Sequence, residues 1–149
     1  MCGDCAMPTS GEPPDLLVDT SVAVALVLAD HDHHDATAAA IGPRRLDLAG
    51  HAAFETFSVL SRLPAPSRRT PAAITELLAD NFPASRFLSA DAARRLLAGF
   101  AADGIAGGAV YDALVGAAAV EHGATLATRD RRALGTYRAL GVTVDVLDS

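Results

Sequence analysis

Short apolar strands alternate with helices along nearly the whole chain, and this alternation is the strongest constraint on its fold. Leu16-Leu17-Val18, Leu46-Asp47-Leu48-Ala49, Arg86-Phe87-Leu88, Thr125-Leu126-Ala127 and Val142-Thr143-Val144 read as strands. Helices are expected between them: one begins at Val22 with Thr20 or Ser21 as its cap, and others run over about 35–41, 52–63, 70–80, 90–102, 110–122 and 131–140. Strands joined through helices pair in parallel, and right-handed crossovers then cover both faces of the sheet. The predicted fold is a single-domain α/β/α sandwich around a central five-stranded parallel sheet, over residues 15–149. The length of 149 residues leaves no room for a second full domain.

Residues 1–14, rich in Pro, Gly, Ser and Thr, read as a flexible leader. Its Cys2-x-x-Cys5 pair is a lone dithiol without a partner pair, and a half-hydrophobic chain of this size needs no disulfide framework. No stretch reaches the ~18–20 apolar residues of a membrane span, and the N-terminus lacks the basic and apolar regions of a secretory signal, so a cytoplasmic protein is expected. All twelve basic residues are arginine. The lack of lysine excludes Schiff-base enzymes, Walker-A nucleotide binders and Ser-Lys hydrolases. The net charge of −6 has the wrong sign for a protein that simply coats nucleic acid.

Open α/β sheets bind ligands beyond the carboxyl ends of their strands, and four acids fall there. Asp19 ends the first strand, directly after three apolar residues. Glu55 lies in the first turns of the helix after the second strand, with Ala52 and Val59 on its face. Asp112 opens a helix that continues Leu114-Val115 and a run of alanines, and Asp130 lies just past the fourth strand. Each has a plain structural reading: Glu55 and Asp112 favour a helix dipole, and Asp130 caps a helix. Asp19 resists it, because an acid at the end of a buried strand is costly to desolvate unless paired or metal-bound. Four carboxylates in one cleft repel each other unless a cation sits among them, and an all-oxygen ligand set suits Mg²⁺ or Mn²⁺. Such ions activate water and neutralise a phosphodiester, the chemistry of metal-dependent nucleases. Without these four, fourteen acids stand against twelve arginines, so most of the negative charge is concentrated at one place.

Leu17-Val18-Asp19-Thr20-Ser21, Ala53-Phe54-Glu55, the run from Tyr111-Asp112-Ala113 to Ala119, and Leu126-Ala127-Thr128-Arg129-Asp130 resemble the four acidic blocks of PIN domains. More narrowly, they resemble VapC-like ribonuclease toxins of type II toxin–antitoxin modules, over nearly all of 16–147. The resemblance implies a metal-dependent endoribonuclease, often a homodimer, that cleaves tRNA or rRNA to leave a 5′-phosphate and a 3′-hydroxyl. It makes Asp19 and Asp112 the principal metal ligands, with Glu55 and Asp130 completing the pocket directly or through water. Thr20 or Thr128 would orient a carboxylate or water, and Arg129 is the arginine nearest the chemistry. It also implies a cognate antitoxin in a toxin–antitoxin hetero-oligomer, with an apolar anchor near the first helices and the helix of Phe54 and Phe57, and an Arg against Asp19 and Asp112. The leader is long for such toxins, which makes Met7 an alternative start.

The doublets Arg44-Arg45, Arg68-Arg69, Arg94-Arg95 and Arg131-Arg132 are candidates for the RNA track, each to be weighed against a solvated surface. The tract Asp30-His31-Asp32-His33-His34-Asp35 has zinc-binding residue types but reads as a turn between two helices. Two other readings compete. An Asp-nucleophile phosphatase would need a nearby Lys and an Asp where Ser21 stands. A non-catalytic PIN-fold module that holds RNA or protein would be marked by a missing acid, and none is missing.

Overall fold

The computed structural model describes residues 14–147, so residues 1–13 of the leader, with Cys2, Cys5 and the two alternative starts, lie outside the described residues. Its elements are β1 (Leu16–Val18), α1 (Thr20–Val27), α2 (His34–Ile41), β2 (Leu46–Leu48), α3 (Ala52–Ser61), α4 (Pro71–Asn81), α5 (Ala90–Asp103), α6 (Ala109–Glu121), β3 (Leu126–Thr128), a 3-10 turn (Arg131–Ala133), α7 (Leu134–Ala139) and β4 (Val144–Val146). The strands form one parallel sheet in the order β2-β1-β3-β4, with Leu17 opposite Asp47 and Leu126, and Ala127 opposite Asp145. Among the described residues no helix is long and apolar enough to cross a membrane.

The sheet has four strands where the sequence suggested five. The expected strand at Arg86-Phe87-Leu88 shrinks to a single parallel bridge between Arg86 and Ala49, held by Arg86 N–H on the Leu48 carbonyl (3.0 Å) and Gly50 N–H on the Arg86 carbonyl (2.6 Å). Pro83 stands before this segment and Ser89 already caps α5, which leaves no length for a ladder. The cap of α1 also differs from expectation. Asp19, rather than Thr20 or Ser21, accepts the Val22 N–H, so the helix begins at Thr20. The last strand is shifted by two residues, since the Val142 N–H is taken by the Tyr137 carbonyl at 3.0 Å, closing α7, and the ladder starts only at Val144.

The core forms where the strands meet α1, α3, α6 and α7. Leu16, Leu17, Val18, Leu126 and Ala127 are buried with Val22, Ala52, Val115, Ala119 and Tyr137. Fully burying a Leu or Val contributes roughly 1.5–3 kcal/mol, so three-residue strands suffice when every residue is inside. Two glycines set the approach of the helices that carry the site. A Cβ on Gly116 in α6 would lie 3.1 Å from both Tyr137 Cδ1 and Val142 Cγ2, so its absence lets α7 lie close against α6. Gly50, with φ +52°, enters α3 where a Cβ would stand 3.0 Å from Ala118 Cβ. These small residues let α7 and the start of α3 close on α6.

Candidate active site

Asp19 is the centre of the site. It follows directly on β1 and is 4% exposed. Oδ1 accepts Ser21 Oγ at 2.5 Å and the Val22 N–H at 3.3 Å, and Oδ2 accepts Thr128 Oγ1 at 2.5 Å and the Tyr137 hydroxyl at 2.9 Å. The four donors come from α1, β3 and α7, so the carboxylate joins three segments distant in the chain. Two of the hydroxyls reach further: Ser21 Oγ accepts the Arg129 N–H at 2.8 Å and Thr128 Oγ1 accepts the Asp130 N–H at 3.0 Å. The loop after β3 is thereby tied to Asp19 through two short relays.

The other three acids stand around the same hollow. A cavity of about 70 Å³ is lined by Asp19, Thr20, Ser21, Glu55, Asp112, Val115, Asp130 and Tyr137. Glu55 and Asp112 come from the first turns of α3 and α6. Asp130 caps the 3-10 turn by accepting the Arg132 N–H at 3.0 Å, and Arg132 Nε lies 3.2 Å from the same oxygen. The capping reading of Asp130 therefore holds, but its carboxylate lines the cavity as well. A larger cavity, about 440 Å³ and lined by Ile41, Arg44, Arg45 and Phe82 among others, contains none of the four acids.

The electrostatics carry the mark of crowding. Burial raises the Asp19 carboxyl above its ordinary 3.8, opposed by its hydrogen bonds from Ser21, Thr128, Tyr137 and the Val22 N–H. Burial also raises Glu55, opposed by His51 and reinforced by the charges of Asp112 and Asp19. Asp112 is raised by burial and then by Asp130 and Asp19, while Arg132 opposes. Burial, followed by the negative charge of Asp19, pushes the Tyr137 hydroxyl far above its ordinary value of 10.0, so it serves Asp19 as a donor only.

The supporting residues are placed unevenly. Thr128 holds Asp19 as described. Thr20 lines the cavity, and its Oγ1 is buried with no hydrogen-bond partner among the described residues. Arg129 does not line that cavity; its guanidinium reaches Thr37 Oγ1 at 3.2 Å, while Arg132 pairs with Asp130. One arginine of each other doublet makes a local contact: Arg44 closes the end of α2 on the carbonyls of Ile41 and Ala40, Arg68 binds the Leu63 carbonyl, and Arg94 pairs with Asp91. The histidine tract is a turn, with His34 Nδ1 2.8 Å from the Ala25 carbonyl. Phe57 packs into a second apolar cluster with Leu28, Leu60 and Ile74, whereas Phe54 is exposed beside Phe87 and His51.

Sequence reasoning did not reach Tyr137 or the tie through Ser21. Tyr137 follows Leu134 at i+3 on an apolar helix face, which reads as core, and only its hydroxyl distinguishes it. Ser21 was visible as the residue two after the strand-ending acid.

The donor set can be weighed against a divalent ion. Among the described residues no three His, Cys, Asp or Glu side chains are already drawn together as a metal-holding cluster. The cavity nonetheless offers only oxygen donors, four of its lining residues are carboxylates, and the buried Thr20 hydroxyl is left without a partner. Hard oxygen donors and room for water are what Mg²⁺ and Mn²⁺ require, since Mg²⁺ keeps several waters and takes few direct carboxylates. The residues present fit such an ion.

The profile of the family described as PIN domain matches residues 16–139. Ribonuclease VapC27 of Mycobacterium tuberculosis is 48% identical over 133 residues, covering 89% of this chain and 97% of that relative. Among solved structures, VapC20 of M. tuberculosis, described as a sarcin-ricin loop cleaving toxin, has a TM-score of 0.60 at 21% identity over 85% of this chain and 95% of its own. VapBC-5 of M. tuberculosis, a member of the VapBC family of toxin-antitoxin systems, has a TM-score of 0.54 at 23% identity over 91% of this chain and 100% of its own. These two show a shared fold, while the profile match and the identity to VapC27 reach further: this chain belongs to the PIN domain family and, within it, to the VapC ribonucleases.

Proposed function

We propose that the chain is a Mg²⁺- or Mn²⁺-dependent endoribonuclease that acts in the cytoplasm as the toxin of a toxin–antitoxin pair. The observation that supports it most is the convergence of four carboxylates, from the ends of β1 and β3 and the first turns of α3 and α6, on one small cavity. Asp19 and Asp112 are the principal metal ligands. Glu55 and Asp130 complete the pocket directly or through water, and the unpartnered Thr20 hydroxyl adds an oxygen toward it. A bound divalent ion would supply an acidified water and neutralise the phosphodiester charge. Ser21, Thr128 and Tyr137 hold the Asp19 carboxylate in one orientation, and Arg132 keeps Asp130 in place while presenting a cation at the rim. Hydrolysis at the P–O3′ bond leaves a 5′-phosphate and a 3′-hydroxyl.

The substrate is a structured RNA loop of tRNA or rRNA, a class supported by the loop cleaved by the VapC20 neighbour. The working assembly is a homodimer joined with an antitoxin, and the antitoxin is supported by the VapBC-5 neighbour, a member of a family of toxin-antitoxin systems. The antitoxin seats a basic side chain against Asp19 and Asp112, where the concentrated negative charge receives it. The deciding experiment frees the full chain from its antitoxin and incubates it with folded tRNA and rRNA and either metal. Wild type is expected to cut at defined sites, with Asp19→Asn and Asp112→Asn at least a hundredfold slower and chelation abolishing the cut. No cleavage with either metal, together with equal growth of cells expressing wild type and Asp19→Asn, overturns the ribonuclease reading in favour of a non-catalytic module.

A further inference from the structure

A cleft of about 370 Å³ adjoins the acid cavity and shares Thr20, Ser21 and Asp130 with it; its remaining walls are Val24, His31, His33, Arg129 and Arg132. Two guanidiniums and two imidazoles therefore stand beside the carboxylates of a chain whose net charge is −6. Such a concentration matters in an acidic protein, because local potential, not net charge, receives a phosphate chain. The volume lies in the range of small-ligand sites.

The walls are fixed rather than floppy. Arg129 is held at both ends, its N–H on Ser21 Oγ at 2.8 Å and its guanidinium on the buried Thr37 hydroxyl at 3.2 Å. The His33 N–H donates to His31 Nδ1 at 3.1 Å, which assigns the proton of the His31 ring to Nε2 and makes that atom a donor. The two rings lie 5.8 Å apart and tilted by 48°. Arg132, with a side chain 94% exposed, uses Nε on Asp130 and extends its guanidinium to the rim. A donor-rich wall of this kind matches phosphate oxygens, for which arginine offers forked contacts. A second adjoining cleft, lined by His51, Glu55, Ser58, Val59, Arg62 and Tyr111, carries one arginine beside a carboxylate and is a poorer match for an anion.

We propose that the cleft of His31, His33, Arg129 and Arg132 holds the RNA phosphate next to the scissile one, and so sets the position of the strand over the acids. This rests on the ribonuclease reading for its role in cleavage, but not for binding. The histidine turn between α1 and α2 thereby gains a purpose: it is a positioning wall for substrate.

The test uses the full-length chain and a fluorescein-labelled single-stranded oligoribonucleotide. Anisotropy in chelator-containing buffer, over a series of salt concentrations, is compared for wild type, Arg132→Gln, His31→Ala/His33→Ala and, as a charge control outside the cleft and the arginine doublets, Arg138→Gln on the exposed side of α7. Each lost phosphate contact lowers the slope of log affinity against log salt by about 0.7 for a single strand. Arg132→Gln is expected to bind about tenfold more weakly with that smaller slope, His31→Ala/His33→Ala several-fold more weakly, and Arg138→Gln like wild type. With Mg²⁺ and an RNA that wild type cuts, the same cleft variants should raise KM. Cleavage by wild type combined with unchanged affinity, slope and KM in both cleft variants overturns the inference and leaves the ribonuclease reading standing. Weaker binding in the cleft variants without cleavage by any form supports the cleft and removes the reading. Unchanged RNA binding with weakened binding of an acidic peptide overturns it in favour of a protein partner.

Discussion

Tyr137 donates its hydroxyl to Asp19 Oδ2 at 2.9 Å, so the last helix is bonded to the acid that ends the first strand. The tyrosine is 1% exposed and its hydroxyl is held protonated by burial and by the Asp19 charge, which makes the bond one-directional. It belongs with the Ser21 and Thr128 bonds as part of the set that stabilises a buried carboxylate.

Tyr137→Phe removes that donor with almost no change in shape. The Asp19 carboxyl should then rise further above 3.8, since one of the bonds that lowers it is gone. We expect about 1–3 kcal/mol of lost stability, the cost of leaving a buried charged acceptor short of a partner. The metal concentration giving half-maximal cleavage should rise several-fold. Chemical denaturation and a Mn²⁺ titration of cleavage measure the two effects.

Asp19, Glu55 and Asp112 all have folded-state values raised, in each case first by burial. A raised carboxyl binds its proton more tightly when folded, so its contribution to stability is full below the ordinary values of 3.8 and 4.5 and is lost as pH rises through the folded values. Metal-free protein should therefore lose part of its Tm between about pH 4 and neutrality on account of these three groups. Mg²⁺ or Mn²⁺ should restore it, raising Tm at pH 7 by clearly more than at pH 4. Thermal scans with and without Mn²⁺ at the two pH values decide it, and a metal effect equal at both contradicts a site made of these acids.

The parts legible in the sequence are those in which local pattern and tertiary role coincide. Leu16-Leu17-Val18 is apolar because it is buried on both faces, and the next residue must then be special, which is how Asp19 stood out. Glu55 and Asp112 stood out because each shares a helical face with Ala and Val near the carboxyl end of the sheet, although a first-turn acid also suits the helix dipole. Arg86-Phe87-Leu88 misled because a strand's length depends on its flanks: Pro83 and the α5 cap at Ser89 left it a single bridge. Tyr137 was illegible because its hydroxyl meets a partner 118 residues away, and periodicity reports faces, not partners. The direction of the Arg129 side chain was hidden for a related reason. Adjacency to Asp130 in the chain does not set direction, and its guanidinium turns to Thr37 while Arg132 turns to the acid.

Gly116→Ala tests how closely α7 is held to the site. Alanine gains about 1 kcal/mol of helix propensity, but its Cβ would be 3.1 Å from Tyr137 and from Val142, both buried. Overpacking typically costs 1–3 kcal/mol, and Tyr137 cannot retreat without giving up Asp19. Net destabilisation of about 1 kcal/mol is expected, along with a cleavage rate reduced several-fold. A variant more stable than wild type would show that α7 moves freely.

Thr128 separates the shape of the site from its hydrogen bonds. Its Oγ1 donates to Asp19 and accepts the Asp130 N–H, in parallel with Ser21, which donates to Asp19 and accepts the Arg129 N–H. Thr128→Val keeps the volume and β-branching but breaks both bonds, leaving a buried carboxylate oxygen and a half-buried N–H less satisfied. Each such loss costs about 1–3 kcal/mol. Thr128→Ser keeps both bonds and gives up only a methyl group, about 1 kcal/mol. If the relay orients Asp19 and the 129–130 loop, kcat should fall at least tenfold in Thr128→Val and stay within a few-fold in Thr128→Ser, although both lose stability. Ser21→Ala and Thr128→Val should also be non-additive, because both act through the same carboxylate. Equal kcat in the valine and serine variants would mean that Thr128 fills space and that Asp19 is oriented by Ser21, Tyr137 and the Val22 N–H.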